Sequence, residues 1–162
     1  MKKILLILMA MFAFGIQNVS AQDAPLKIVT NHPDFKIKVK RCAASGKTVV
    51  IDLILSNVGA TDVENIEGFG GIYYGSPRGT EAYDDEGNIY QERNIYIKVA
   101  NRDGGGEFKI PVGVPMRYAV FIENVPTSAQ SIARLSLEFR CEKWGLNGSK
   151  LVKLANIPIS RD

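Results

Sequence analysis

The chain has 162 residues, with 20 Lys and Arg against 17 Asp and Glu, two Cys and a single His. That length suits one domain with a core of its own. The formal charge of +3 is small, and both Lys2 and Lys3 sit in an N-terminal segment expected to be removed, so no concentrated basic footprint for nucleic acid is present.

Residues 1–21 read MKKILLILMAMFAFGIQNVSA: two lysines, an apolar run from Ile4 to Ile16, then Val19 and Ala21 at small-residue cleavage positions. This is the pattern of a secretory signal peptide, with cleavage expected between Ala21 and Gln22. The apolar run is shorter than the ~20 residues a bilayer span needs, so no membrane span is expected. No Cys stands at the junction for lipid attachment. The expected setting is the periplasm or the extracellular space of a bacterial envelope. Residues 22–34 form an N-terminal segment and 35–162 the folded domain.

Beyond Phe35 the dominant period is two. Phe35, Ile37 and Val39 alternate with Lys36, Lys38 and Lys40; Ile95, Ile97 and Val99 share one side; Leu135, Leu137, Phe139 and Cys141 alternate with Arg134, Ser136, Glu138 and Arg140. TVVIDLILSNV from Thr48 and MRYAVFIENV from Met116 carry apolar residues on both faces and read as more deeply buried strands. Turn signals separate the runs at 43–46, 85–88, 101–106, 112–115 and 145–149. The only helical candidate is a single turn in PTSAQSIARL, capped by Thr127 or Ser128. The expected fold is all-β, a sandwich or barrel of antiparallel strands.

Cys42 and Cys141 are an even pair in an exported chain, which favours a disulfide between them; two buried free thiols are the alternative. SGKT at Ser45–Thr48 lacks the upstream Gly and the following helix of a phosphate loop, and reads as a hairpin turn. His32, in TNHPDF, is the sole base available to a catalytic triad, and no nucleophile is written beside it. Acid pairs such as Asp84 with Glu123, or Glu64 with Glu67, have no fixed separation. The sequence therefore implies no enzyme, no metal and no cofactor.

Lys36, Lys38 and Lys40 with Arg41 form the sharpest charge pattern, suited to an anionic partner or to guarding a sheet edge against aggregation. In AYDDEGNIY, from Ala82 to Tyr90, acids surround a Gly as in a calcium loop. However, counting Asp84 as the first position, the Gly falls at the fourth, Ile95 stands at the twelfth where a chelating Glu belongs, and the flanks are strands. The stretch reads as a hairpin tip, with Gly87 and Asn88 suited to a left-handed backbone. Finally, GFGGIYYGSPRG interrupts the strand pattern. With its neighbours it supplies Phe69, Tyr73, Tyr74, Arg78, Tyr83 and Tyr90 as a candidate interaction surface, because Tyr gives contact area at low entropic cost.

VVIDLILSNVGATDVE, YDDEGNIY and RYAVFIENVPTSAQSIARLSLEF, in this order, resemble the secreted immunoglobulin-like domains grouped with the mycobacterial immunoprotective extracellular antigen. The resemblance spans Phe35 to Ile159. It implies an immunoglobulin-like antiparallel sandwich of about 7 to 9 strands in an envelope setting and brings no catalytic residues. Many members are lipoproteins, and the missing junction Cys departs from that. The expected function is a non-enzymatic binding module whose partner is another envelope or extracellular protein, with a carbohydrate-binding module as the alternative.

Overall fold

Thr48–Asn57, apolar on both faces, and Ser131–Cys141, with its alternating apolar residues, build two of the long strands around which the fold is organised. The computed structural model describes residues 24–30, 35–68, 80–103, 107–141 and 149–161. They contain thirteen strands: β1 Lys27–Thr30, β2 Phe35–Ser45, β3 Thr48–Asn57, β4 Val63–Gly68, β5 Glu81–Asp84, β6 Ile89–Tyr90, β7 Ile95–Val99, β8 Arg102–Asp103, β9 Glu107–Ile110, β10 Met116–Ile122, β11 Ser131–Cys141, β12 Ser149–Pro158 and β13 Ser160–Arg161. The count exceeds expectation because β6, β8 and β13 are two-residue pairings and one strand position is split. No α-helix occurs among the described residues; PTSAQ makes a turn closed by Ala129 N–H donating to the Pro126 carbonyl, and a single 3-10 turn lies at Glu92–Asn94.

One sheet runs β1-β12-β11-β4-β9, with β5 also on β11 and β6 on β5; the other runs β13-β2-β3-β10-β7-β8. Strand pairs are antiparallel except β13 with β2. Gly68 lies opposite Phe139 and Glu81 opposite Ser136, so β4 and β5 occupy successive stretches of the same edge of β11. The two sheets pack face to face over one apolar core, and the chain is an all-β sandwich.

An aromatic chain ties the sheets together. Phe35 of β2 meets Phe139 of β11 edge-on at 5.4 Å between ring centroids, and Phe139 meets Tyr118 of β10 at 5.3 Å. Each such pair adds about 1 kcal/mol beyond its buried area. The Tyr118 hydroxyl is fully buried and has no hydrogen-bond partner among the described residues; burial pushes its pKa well above the ordinary phenol value.

Turn chemistry follows the backbone. SGKT is the two-residue hairpin between β2 and β3, with Gly46 at φ +58°. The Arg161 guanidinium donates to the carbonyls of Pro126, Ala129 and Gly46, joining the chain's last strand to the loops at that end. At the opposite end Asn57 is buried, its amide donating to the Thr61 and Ile110 carbonyls while its oxygen accepts from Gly59 N–H.

Candidate binding surface

Asp52 is the one described acid on the outer face of β3, and it is 4 % exposed because two arginines cover it. A bulge between Val39 and Arg41 brings Arg41 of β2 opposite Asp52, where its Nε and Nη2 donate to Oδ2 at 3.2 and 3.0 Å. Arg117 of β10 donates from Nε and Nη2 to Oδ1 at 2.9 and 2.6 Å, and from Nη1 to the Asn101 side chain. Burial pushes the Asp52 pKa up, but the hydrogen bonds and charges of the two arginines outweigh it and hold it below the ordinary carboxylate value. Both guanidinium groups stay about half exposed, at 60 % and 46 % of their side-chain area.

On the same face Tyr96 of β7 lies opposite Phe121 of β10, the rings stacked at 4.5 Å and 8° with Tyr96 39 % exposed. Lys98 Nζ stands 5.8 Å over the Phe121 ring. Between them Lys98, Asn101, Arg117, Ala119 and Phe121 line a dent of about 40 Å³. Pockets for small organic ligands run to about 300–1,000 Å³, so the dent is too small to enclose one. The turn beside it is strained: Ala100 and Asn101 both take positive φ, 48° and 68°, in the two-residue link between β7 and β8. Ala carries a cost of about 1 kcal/mol there, and the turn sets Asn101 against Arg117.

The expected interaction surface fares differently. Phe69, Tyr73, Tyr74 and Arg78 lie outside the described residues, as does His32. Tyr90 is a correction: it is 3 % exposed and belongs to the core, since it pairs with inward-facing Ala82 while Tyr83 pairs with exposed Ile89. Tyr83 faces outward on the other sheet, half-buried under the Arg134 guanidinium, which stands 4.2 Å from its ring centroid and bonds Glu81 at 2.8 Å. Tyr83 and Tyr90 thus point to opposite faces and share no surface.

The acidic stretch is a hairpin tip. Asp84 is buried, with Oδ1 accepting from the backbone N–H of Glu86 and Asn88, and Oδ2 from the Asn88 side chain and the Tyr90 hydroxyl. Four donors fill the roughly four lone-pair sites of a carboxylate. Burial raises the Asp84 pKa, yet these bonds outweigh it and lower the net value. Tyr90, buried and bonded to that anion, has its own pKa raised. Gly87 alone takes the left-handed backbone, at φ +86°; Asn88 instead contributes its side chain. Among the described residues no group of three or more His, Cys, Asp and Glu side chains converges on a metal position.

The disulfide is also corrected: Cys42 and Cys141 are both free and buried. Phe35 touches Phe139, two residues from Cys141, whereas Cys42 lies seven residues further along β2. At about 3.4 Å per residue those seven residues span about 24 Å, far beyond the ~7 Å limit between bridged Cα atoms. Cys42 is pushed up to about 12 by burial, against the opposing charge of Arg161. The Cys141 thiol donates to the Glu64 carbonyl at 3.2 Å.

Among the described residues no helix is long and apolar enough to cross a membrane. No protein-family model matches the chain, and no curated protein does. Among solved structures it is similar to a family 123 glycoside hydrolase from Clostridium perfringens, described in work on glycolipid glycan hydrolysis, with 11 % identity and a TM-score of 0.43 over 85 % of this chain. The chain spans 27 % of that protein's length, a likeness too slight to carry any functional argument.

Proposed function

We propose that the chain is an exported, non-enzymatic binding domain whose protein partner docks on the outer face of β2, β3, β10 and β7. The observation that carries this reading is the Arg41–Asp52–Arg117 bridge beside the stacked Tyr96 and Phe121. Tyr and Arg dominate the energetics of protein interfaces, and here both types are fixed before any partner arrives. Arg117 is tied by three hydrogen bonds to Asp52 and Asn101, so little side-chain freedom remains to be lost on docking. Among the described residues the two buried carboxylates, Asp52 and Asp84, are committed to structural hydrogen bonds, which supports a non-enzymatic role.

The test is affinity capture from an envelope extract with the wild-type domain and with Tyr96→Ser, an exposed change that leaves the core intact. Loss of specific partners in the variant supports the reading, and capture unchanged by Tyr96→Ser removes this face from consideration. Binding on a glycan array, abolished by the same substitution, would instead favour the carbohydrate-binding alternative.

A further inference from the structure

The cations of this face are arranged in rows. Lys38 of β2, Ile54 of β3 and Arg117 of β10 stand side by side in register, and Arg41, Asp52 and Ala119 form the next row. Lys36 precedes Lys38 by one same-face step, opposite Ser56, and Lys40 adds an exposed cation at the bulge. Against these five cations β2, β3 and β10 carry one acid, Asp52, already shared between two guanidinium groups. Lys98, on β7, is not counted among these cations.

Edge protection explains only part of this charge. β13 covers β2 at Ala43 and Ala44 alone, so among the described residues the edge of β2 from Phe35 to Lys40 has no strand beside it, and lysines there discourage edge pairing. Arg117 serves the Asp52 bridge, and its guanidinium stays half exposed beside it. It stands on a central strand, flanked by β3 and β7, where no edge exists to guard.

Resting on the reading that this face docks a protein, we infer that the partner offers an extended segment with acidic residues at alternate positions, laid along β3 between Lys36 and Lys38 on one side and Arg117 on the other. Same-face residues of a strand repeat at about 6.8 Å, and an extended ligand peptide repeats its side chains at the same interval. Its carboxylates would therefore meet Lys36, Lys38 and Arg41 in step, with Ile54 and Ser56 as the floor. Arg41 keeps its Nη1 donors outside the Asp52 bonds, ready for a second carboxylate. A lipid surface suits the face less well. Of the large exposed hydrophobic residues among those described only Tyr96 lies here, and its ring is stacked flat on Phe121 rather than projecting.

The probe is a fluorescein-labelled synthetic peptide of alternating Glu and Thr, followed by anisotropy at about 20 mM and about 200 mM salt, between which the screening length contracts roughly threefold. Binding weakened about tenfold by the added salt, and about tenfold by Lys36→Glu with Lys38→Glu, is the expected result. These exposed lysines can be reversed without touching Asp52. Absence of binding, binding indifferent to the charge reversal, or tighter binding to anionic phospholipid vesicles or a sulfated polysaccharide would overturn the inference. If the peptide fails while Tyr96→Ser still abolishes partner capture, the docking reading stands and only its acidic partner falls.

Discussion

The Tyr90 hydroxyl donates to Asp84 Oδ2 across 2.7 Å, in a buried position between the sheets' core and the tip of the β5–β6 hairpin. That bond closes the ring of four donors around the carboxylate and fixes which face of the hairpin turns inward. Tyr90→Phe is expected to cost about 2 kcal/mol, the range for a hydrogen bond to a charged group. Urea unfolding of the single variants and of Tyr90→Phe with Asp84→Asn would show coupling, since the two residues act through one contact.

Asp84 and Asp52 both ionise below their ordinary value, so acid should weaken the fold in a defined direction. A carboxylate whose folded pKa is depressed contributes fully above the unfolded value of about 3.9, and the contribution disappears as pH falls through the folded value. Stability should therefore be level in this respect above about pH 5 and fall below about pH 4. Asp84→Asn should flatten that decline. Urea midpoints collected across the acid range check both statements.

Tyr118 carries a fully buried hydroxyl with no partner among the described residues, beside Phe139 and Phe108. Removing an unsatisfied polar atom while keeping the ring relieves its desolvation cost, so Tyr118→Phe should stabilise the domain by about 1 kcal/mol. Phe139→Ala, in the same cluster, should cost about 3–5 kcal/mol by opening a cavity. Thermal melting of the two variants should move in opposite directions.

Ala100 adopts φ +48° in the β7–β8 turn, where a side chain carries strain. Ala100→Gly should raise stability by about 0.5–1 kcal/mol. Because the turn aligns Asn101 with Arg117, the same change should leave Tyr96-dependent capture intact, whereas Asn101→Ala should loosen Arg117. Chemical denaturation and the capture assay separate the two effects.

Cys42 and Cys141 should resist a thiol reagent in the native state and both react on unfolding without any reductant. A thiol count of two per chain in denaturant, and a mass matching the reduced protein, are the expected readings.

The sandwich was legible because alternation is a direct record of facing. Leu135, Leu137, Phe139 and Cys141 are all buried, as are Ile95, Ile97 and Val99. The same record implied that Tyr96 points outward. It could not reveal Phe121 or the role of Asp52, because β3 and β10 carry apolar residues on both faces and only register shows that Arg41 and Arg117 flank Asp52. The bulge after Val39 also hides in sequence: it shifts the parity of β2, so that Cys42 is buried where strict alternation from Phe35 would turn it outward. Pairing the cysteines failed for a related reason. Parity and compartment say nothing about which end of a strand each residue occupies. The hairpin at Asp84 was readable from its mismatches with a calcium loop, but the inward turn of Tyr90 depended on its register with Ala82.

The parallel pairing of Ser160 with Ala43 joins the second strand of the chain to the thirteenth, and β1 likewise pairs with β12. Contacts so distant along the chain must wait until almost all of it is present, and loop closure on that scale slows the search for the native state. The domain should thus fold late and all at once, on the millisecond-to-second scale of non-local β topologies, and an N-terminal portion should remain without stable structure. Shortening the chain before Ser160 would remove the clamp of Arg161 on Gly46, Pro126 and Ala129 as well as this closing pair, and should speed unfolding more than it slows folding if the pair forms after the rate-limiting step.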